Sequence, residues 1–556
     1  MEINQLIKQL LLNRGISSDE DIEEFISQSP RKTYDPLLLP DMEAGADLIL
    51  NEVGKGSRIM IYGDYDADGI TATSLMFSVL SHLMSGRKED LSYYIPSRFE
   101  EGYGLNRDAV KHISDQGYDF IITVDCGSVS EDEVRYAEEL GMRVLVTDHH
   151  TITDKMAGCL LINPKKPGSQ YPFKELCGCG VAFKLAQVIQ RKAGLPKSIL
   201  TEVLDLVAIG TIGDIMPLID ENRTLVKYGL KVINQGIRPG LRKLIREAGL
   251  TVGSISSENV GFVIVPHLNA SGRIEDASRA VELMLAEEND PELDSLVADL
   301  IYKNRERKRL QQETYKRCLE IAEPEDFMLI RCDDAHEGIA GIVAGKIKDN
   351  FYRPAVIVMP TMGEEGLLKG TGRSIEGVSL YDILKNHEEL FTKFGGHSGA
   401  CGFTMKAEDF DELKEGLLKD IAVIKDKDPE VFVRKYPCDM DLSPGDVSVE
   451  LADQIDLLSP FGNGNPKPVF RLKNVMISDL RLMGNEGQHM RFTARDERMR
   501  YLSCVLFNKA DRYTNMIRYG SRFDLIGSVE AQIWQGQKRL QFITENIIDE
   551  KGIQGI

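Results

Sequence analysis

The sequence lacks the features of a membrane or secreted protein. Its longest apolar runs, such as 59–62 and 356–359, fall far short of the roughly 20 residues that a membrane span needs. Residues 1–13 have an amphipathic helical pattern without the basic start and small-residue cleavage site of a secretory signal. Among nine scattered cysteines only Cys177 and Cys179 are close, which makes a poor zinc pattern without a second pair. We therefore expect a cytoplasmic protein with reduced thiols and no membrane partner.

An excess of positive charge is also missing, since the formal net charge is −20. This argues against a protein that attracts nucleic acid with its whole surface, because neutralisation of phosphates dominates that attraction. Two regions differ from the average. Residues 303–317 hold seven basic and two acidic side chains, and basic residues also outnumber acidic ones across 471–539. Local fields of this kind can bind nucleic acid, although a solvated helix face explains the first region equally well.

From about residue 58 onward, short apolar runs alternate with helical patterns, which is typical of a parallel α/β sheet. The predicted strands are 58–62, 92–95, 120–124, 143–147 and 160–162, with helices at 71–83, 107–115 and 131–139. Residues 277–323 predict a short helix and then a long one from about Pro291 to Glu323. A second α/β unit follows, with strand-like runs at 327–330, 355–359 and 400–405.

The last part of the chain is rich in strands. Five short candidates occur at 469–472, 490–494, 501–507, 522–529 and 539–544. This spacing favours a small β-barrel, with an OB-fold as the leading candidate. The predicted fold class is thus α/β, with two α/β lobes joined by a long helix and followed by an OB-fold-like barrel. The predicted division is a helical segment at 1–50, lobes at 51–278 and 326–426, a connector at 279–325 and the barrel at 427–556.

Metal-ligand residue types follow three predicted strands of the first lobe. They are Asp64, Asp66 and Asp68 after the first strand, Asp125 after the third, and Asp148, His149 and His150 after the fourth. Ligands bind outside the carboxyl ends of parallel strands, so these groups should converge in one crevice. So many carboxylates would raise one another's pKa unless cations neutralised them. Divalent ions prefer oxygen ligands, and imidazole shifts the preference toward Mn²⁺ while still allowing Mg²⁺.

Asp214 adds a further acid, in the apolar and glycine-bounded segment 210–217, where we expect a turn. An unpaired carboxylate would be costly there. Two alternatives remain for the acids at 64–68: Asx turns that cap the following helix, or a calcium loop. The calcium loop would lack its late bidentate Glu and would leave the remote histidines unused. The pattern favours a catalytic site with two metal ions.

These motifs resemble those of the DHH phosphoesterase superfamily in order and spacing: 64–69, 124–127, 148–150 and 210–214. Four further segments, at 95–104, 269–273, 372–374 and 395–402, are similar to the RecJ exonuclease branch of that superfamily. Two positions depart from the pattern. Gly213 stands where alanine is usual, and His267 stands where the branch often has an arginine that contacts substrate. Neither change removes a metal ligand.

The resemblance implies a DHH domain at 51–278, a DHH-associated domain at 326–426 and a single-strand-binding barrel at 427–556. It implies two divalent ions, Mn²⁺ or Mg²⁺. Asp66 and Asp68 would bind separate ions, and Asp125 would bridge them. His149 and Asp214 would complete the second ion's ligands. Asp64 would orient its neighbours or serve as an auxiliary ligand, and His150 would point at the scissile phosphate.

The activity that the resemblance implies is 5′→3′ degradation of single-stranded DNA to 5′-mononucleotides, in DNA repair and recombination. The expected substrate-binding residues are Arg98, Asn269, Arg273, Arg373, Ser374, Gly395, Gly396, His397 and Trp534. Further barrel candidates are the aromatic residues Phe492, Phe507 and Tyr513 and the basic residues Arg471, Arg491, Lys538 and Arg539. The alternatives are surface ion pairs for Arg98 and Arg273 and a turn cap for Asn269, and core packing is the simpler explanation for each barrel aromatic.

Single-stranded DNA is the expected partner, a helicase and a single-strand-binding protein are candidate partners, and we expect a monomer. The nearest competing function is a DHH phosphodiesterase for short oligoribonucleotides or cyclic dinucleotides, which would not need a terminal barrel. A non-catalytic DNA-binding replication scaffold and an inorganic pyrophosphatase also compete with the exonuclease.

Overall fold

In the computed structural model, the described residues are 3–98, 101–153, 155–274, 276–361, 365–517, 521–534 and 537–549, with the backbone alone at 532–534. The chain begins with helices α1 (Gln5–Asn13), α2 (Asp19–Ile26) and α3 (Met42–Lys55). Helix α3 packs on the first lobe, whereas the apolar side chains of α1 and α2 are buried against the C-terminal barrel. Among the described residues, no helix is long and apolar enough to cross a membrane.

The first lobe contains a parallel sheet. Its elements are β1 (Ile59–Tyr62), α4 (Ala67–Leu83), β2 (Leu91–Tyr94), α5 (Arg107–Asp115), β3 (Phe120–Val124), α6 (Glu131–Glu139), β4 (Arg143–Thr147) and β5 (Leu160–Ile162). The strand order is β2-β1-β3-β4-β5. The five predicted strands are confirmed to within one residue at each end. Helix α4 begins earlier than predicted because Asp66 caps it: its Oδ1 accepts from the amides of Asp68 and Gly69.

A helical layer completes this lobe. It consists of α7 (Gly178–Ala193), α8 (Ser198–Glu202), α9 (Leu204–Gly213), α10 (Asp220–Gln235), α11 (Pro239–Glu247), α12 (Ser257–Asn259), α13 (Val265–Ile274) and α14 (Ser278–Leu285). A π-helical turn, Val260–Ile264, joins α12 to α13. The predicted turn is present at Asp214 and Ile215, but residues 210–213 before it belong to α9, and Asp214 is the C-cap of that helix.

The long connector is confirmed as α15 (Leu293–Ile321), which packs against α13 of the first lobe and against the second lobe. Much of its basic cluster is used in ion pairs. Lys303 is buried beside Asp299, and Arg309 contacts both Glu306 and Glu313. The solvated-face explanation therefore fits much of this helix.

The second lobe contains a mixed sheet of order β6-β7-β8-β10-β9. Its elements are β6 (Met328–Arg331), α16 (Glu337–Phe351), β7 (Ala355–Pro360), β8 (Leu367–Arg373), α17 (Leu380–Lys385), β9 (Phe391–His397), β10 (Ala400–Lys406) and α18 (Phe410–Lys427). Gly395 and Gly396 lie in the edge strand β9. The glycine-rich segment is therefore the end of a hairpin, not an open loop.

The C-terminal unit is a closed barrel, as predicted. Its elements are β11 (Met440–Leu442), α19 (Val449–Asp456), β12 (Phe470–Met483), β13 (His489–Arg495), β14 (Tyr501–Leu506), α20 (Ala510–Thr514), β15 (Arg522–Trp534) and β16 (Gln537–Asp549). The strands β12, β13, β14, β16 and β15 pair in that order, and β15 pairs back with β12. Strand β11 extends the sheet beside β12.

The barrel core contains two of the aromatic candidates for stacking on bases. Phe492 is 1% exposed and Tyr513 is fully buried. Both side chains pack with apolar neighbours of the barrel core, so core packing, the simpler explanation, is correct for these two. Trp534 ends β15, and its side chain lies outside the described residues.

Candidate metal centre and nucleic-acid cleft

The loop after β1 is a tight turn that presents three carboxylates. An added Cβ at Gly69 would lie 2.6 Å from the backbone nitrogen of Asp64, so only glycine allows this close approach. Asp66 uses one oxygen to cap α4. The helix-capping alternative is therefore correct for Asp66, and it coexists with a role in binding a ligand.

The carboxylates and one histidine converge at the ends of β1, β3 and β4. The Nε2 atom of His149 lies 3.2 Å from Oδ1 of Asp125, 3.4 Å from Oδ2 of Asp214 and 3.9 Å from Oδ2 of Asp68. Ligand atoms of Asp64, Asp66 and Asp125 form a second group within 4.8 Å of one another. Asp125 is close to both groups, which is the position that a bridging ligand needs.

Several buried polar atoms of this cluster have no hydrogen-bond partner among the described residues. They are Oδ1 of Asp64, Oδ1 of Asp125, Oδ2 of Asp214 and both ring nitrogens of His149. Buried polar atoms are rarely left unpaired in native proteins, because their desolvation is costly. Oxygen donors with one imidazole suit Mn²⁺ or Mg²⁺. The residues present therefore fit a pair of divalent ions.

The protonation tendencies of the cluster agree with this fit. Burial, followed by the neighbouring Asp66 carboxylate, raises the pKa of Asp64 to about 8. Burial and the carboxylate of Asp68 raise the pKa of Asp214 to about 8. Burial also lowers the pKa of His149 to about 4, which keeps its imidazole neutral. Without cations the carboxyl groups of Asp64 and Asp214 therefore favour their protonated forms, and the neutral imidazole of His149 is free to act as a ligand.

The N-terminus of α7 holds Asp68 through backbone contacts. The amides of Gly178 and Cys179 donate to the two carboxylate oxygens of Asp68, at 2.6 and 2.9 Å. A helix N-terminus stabilises negative charge. From the sequence, Cys177 and Cys179 are interpreted only as a poor zinc pattern, so this contact is missed. The run of small residues before an apolar helix is the signal that could have suggested it.

His150 belongs to a chain of hydrogen bonds at the rim of the centre. Its Nδ1 lies 2.8 Å from Oδ1 of Asp148 and 3.0 Å from the hydroxyl of Tyr103. Burial lowers the pKa of His150, but the bond to Asp148 outweighs it and the pKa is raised overall. For Asp148, burial raises the pKa, but bonds from His150 and Ser128 hold it below its usual range. Sequence reasoning assigned no role to Tyr103 or Asp148.

A cleft of about 1040 Å³ opens from this centre. Asp64, Asp66 and His150 line one part of the cleft. Residues 461–463, 466 and 467, which lie between α19 and β12 of the C-terminal unit, line another part. The cleft also has exposed apolar side chains, including Phe262 at 80% and Ile215 at 71% exposure. It thus combines a metal centre with a surface suited to rings or bases.

Three arginines enter the cleft: Arg98, Arg273 and Arg307. Arg273 donates to the backbone oxygen of Gly338 in the second lobe at 2.9 Å. Burial, together with the positive charges of Arg98 and Arg307, lowers the pKa of Arg273 to about 10. Clustered cations of this kind suit a phosphate. Arg307 was predicted only as part of a basic region.

Asn269 also lines the cleft, but its Oδ1 accepts from the amide of Ala67 at 2.7 Å. It therefore supports the loop that carries the metal-site carboxylates. Arg373 lies against α16, where its Nη2 is 3.0 Å from the position of an added Cβ on Gly341. Burial and the charge of Arg98 lower the pKa of Arg373.

The remaining predicted residues of the second lobe do not line this cleft. The hydroxyl of Ser374 donates to the carbonyl of Val378. Gly395, Gly396 and His397 are exposed at the edge strand, and Nδ1 of His397 accepts from Gly399. The structure therefore brings the candidate metal ligands and two of the predicted arginines together, whereas these four residues are not among those that line the cleft.

On the barrel, Phe507 is 45% exposed and contacts the ring of His489, with Arg491 exposed on the same strand as His489. Arg471 and Lys538 form ion pairs with Asp441 and Asp453. Of the barrel candidates whose side chains are described, Phe507 is the one exposed aromatic.

Comparison with known proteins agrees with this geometry. Residues 58–211 match the N-terminal domain of the DHH family, 325–422 match the DHHA1 domain and 438–546 match the RecJ OB domain. A parallel sheet with an Asp and His centre, followed by a DHHA1 domain, defines a DHH-class protein. The chain is 37% identical to the single-stranded-DNA-specific exonuclease RecJ of Bacillus subtilis, over 98% of this chain and 68% of that protein. The chain belongs to the RecJ family.

Two further relatives extend the likeness. The RecJ exonuclease of Escherichia coli is 33% identical, over 84% of this chain and 83% of that protein. The crystal structure of RecJ from Thermus thermophilus in complex with Mn²⁺ superposes with a TM-score of 0.80 and 28% identity, covering 98% of this chain and 78% of that one.

Proposed function

We propose that the protein hydrolyses single-stranded DNA from its 5′ end and releases 5′-mononucleotides, with two divalent ions, Mn²⁺ or Mg²⁺. The observation that carries the proposal is the position of Asp125 between two groups of metal-ligand atoms. Family relatives are named single-stranded-DNA-specific exonucleases, and one was solved with Mn²⁺ and with Mg²⁺.

In the proposed site, Asp66 and Asp64 hold one ion, and Asp68, His149 and Asp214 hold the other. Asp125 contributes to both. The ions would supply Lewis acidity that activates the attacking water and neutralises charge on the phosphoryl oxygens. Asp148 and the amides at the start of α7 keep the neighbouring groups oriented.

His150 is the proposed proton donor. Water adds to phosphorus and releases one proton to solvent, the bond to the sugar 3′-oxygen breaks, and that oxygen takes a proton from the imidazole, which solvent then protonates again. The contacts from Asp148 and Tyr103 fix the ring through Nδ1, which leaves Nε2 for the substrate. The raised pKa of His150 supports a protonated ring near neutral pH.

Residues of both lobes are proposed to bind the substrate. Arg98, Arg273 and Arg307 hold phosphates in the cleft, with Arg373, Ser374 and the Gly395–His397 edge as a contact for the 5′ end. Phe262 stacks on a base. On the barrel, Phe507 with Arg491 holds the trailing strand, and Trp534 remains a candidate.

We also propose that each predicted domain has its own function. Residues 51–278 carry catalysis, 279–325 connect, 326–426 hold substrate and 427–556 bind the strand. A monomer acting in the cytoplasm beside a helicase and a single-strand-binding protein completes the proposal. The closed barrel favours a long strand as the substrate and not a di- or trinucleotide. A barrel with an exposed aromatic ring is useful for holding a strand that extends beyond the metal centre.

The test uses single strands labelled at the 5′ or the 3′ end, with Mn²⁺, Mg²⁺ or EDTA. We expect 5′-labelled mononucleotide to appear at once and EDTA to stop its release. The Asp125→Ala variant should release none, whereas Asp108→Ala, at an exposed position on α5, should match the unaltered protein. Internal cuts, or full activity of Asp125→Ala, would refute the proposal.

A further inference from the structure

The metal-site residue Asp214 is placed by an unusual helix end. The amides of Ile215 and Met216 donate back to the carbonyls of Ile212 and Thr211, which closes α9 with a Schellman motif. The residue in the left-handed position of this motif is Ile215, with φ of 55°. Glycine usually fills that position, because a β-branched side chain is strained there. Such strain persists only where the surroundings hold the backbone in place.

The surroundings come from the barrel unit. We call residues 461–465 the barrel loop. The side-chain amide of Asn463 donates to the carbonyl oxygen of Ile215 at 2.7 Å. The backbone oxygen of Asn463 accepts from the amide of Leu218, also at 2.7 Å. One residue, Asn463, therefore holds the strained turn at Ile215 and at Leu218, although it lies about 250 positions further along the chain.

The barrel loop is itself firmly seated. The hydroxyl of Ser257 donates to the carbonyl of Phe461 at 2.7 Å. Gly464 has φ of 70°, and an added Cβ there would lie 2.9 Å from Cβ of Pro217. The guanidinium of Arg223 donates to the carbonyl of Ser459 at 2.8 Å, just before the loop. These contacts make the loop a rigid support for residues 215–218.

We propose that the barrel loop, through Asn463, is a positioning element for the metal-site carboxylate of Asp214, so that the barrel helps to build the metal centre as well as holding the strand. This inference rests on the proposed metal-binding role of Asp214. Loss of the Asn463 amide lets the turn relax from the left-handed conformation at Ile215. The carboxylate of Asp214 then swings away from His149 and Asp68.

The test measures Mn²⁺ affinity by electron paramagnetic resonance of free Mn²⁺, with no DNA present. We expect Asn463→Ala to weaken Mn²⁺ binding about tenfold, as loss of a residue that orients a ligand does. The control is Asn386→Ala, which removes an exposed asparagine bonded to Asp420 in the second lobe. It should leave Mn²⁺ affinity unchanged.

A second substitution separates positioning from general stability. Ile215→Gly removes the strain, so the double variant with Asn463→Ala should regain most of the Mn²⁺ affinity. No regain, or an Asn463→Ala protein with unaltered Mn²⁺ affinity, would overturn the inference and leave the metal assignment standing. The Asp214→Ala variant tests that assignment directly. If Asp214→Ala binds Mn²⁺ as the unaltered protein does, the metal role of Asp214 and the inference both fail.

Discussion

The contact between Asp68 and the start of α7 depends on a single missing methyl group. An added Cβ at Gly178 would lie 2.5 Å from Cβ of Asp125, so the amides reach Asp68 only because residue 178 has no side chain. One glycine therefore lets Asp125 pack against the start of α7 while the amides there bind Asp68.

Gly178→Ala should weaken Mn²⁺ binding at least about tenfold and lower kcat by a similar factor, because both Asp68 and Asp125 must shift. Isothermal titration calorimetry with Mn²⁺ measures the first effect. The control is Gly180→Ala, two residues further into the helix, where an added Cβ would be 3.5 Å from Leu176 and fits. Equal Mn²⁺ affinity in the two variants would contradict this role.

For single residues, the sequence predicts the candidate metal ligands better than it predicts the groups that hold those ligands in place. Asp64, Asp125 and His149 follow apolar strands, and the rule that parallel strands end at one edge is enough to bring them together. The amides that bind Asp68 come from residues 110 and 111 positions away, and any residue carries an amide. Only the folded chain shows which amides point at the site.

Among the elements, the continuous helical stretch from α12 to α13 shapes the cleft. Its π-helical turn contains Phe262, whose ring is the most exposed large apolar side chain of the cleft wall. π-Helical turns occur frequently at functional sites. We expect this ring to contact a base.

Phe262→Ala should raise KM for a long single strand about tenfold, since base stacking on an aromatic ring is worth about 1–3 kcal/mol. Mn²⁺ affinity should not change, because the ring offers no ligand atom. Tyr302→Ala on α15 removes another exposed ring, away from the cleft, and serves as the control. An unaltered KM for Phe262→Ala would show that the ring does not hold substrate.

The alternation of buried and exposed side chains along β13 explains why the candidate stacking residue Phe492 lies in the barrel core. In β13 the residues Met490, Phe492 and Ala494 are buried, while Arg491 between them is exposed. The period of two therefore places Phe492 in the core, whatever its chemistry. The helical conformation of residues 210–213 could not be predicted in the same way. The glycines at both ends of this segment favour a turn locally, and the packing of α9 against α4 and α10 overrides them.

For the whole molecule, α10 ties the catalytic lobe to the N-terminal helices through a buried amine. Lys227 donates to the carbonyls of Ser27 and Phe25, at 2.8 and 3.2 Å. Burial lowers the pKa of Lys227, and the positive charges of Arg223 and Lys231 add to this effect while Glu24 opposes it. Together these causes bring the pKa to about 7. The unfolded chain then binds more protons than the folded one between about pH 7 and the usual lysine pKa, so this group's contribution to stability rises with pH.

Lys227→Met removes that dependence. The melting temperature of the unaltered protein, minus that of the variant, should therefore increase from pH 7 to pH 9. Differential scanning calorimetry at the two pH values measures it. A difference that stays constant or shrinks would contradict the lowered pKa. The exposed Lys308, changed to Met, is the control and should give no pH-dependent difference.

The packing of α1 against the barrel has a consequence for synthesis on the ribosome. Ile7, Leu10 and Leu11 are buried beside barrel residues, and the amide of Asn4 bonds to Gln454, which is 450 residues later. Helix α1 is synthesised long before the barrel and must wait, with its apolar face uncovered, until the barrel has been made. Nascent chains that stop before the barrel will therefore present this face to chaperones or to one another.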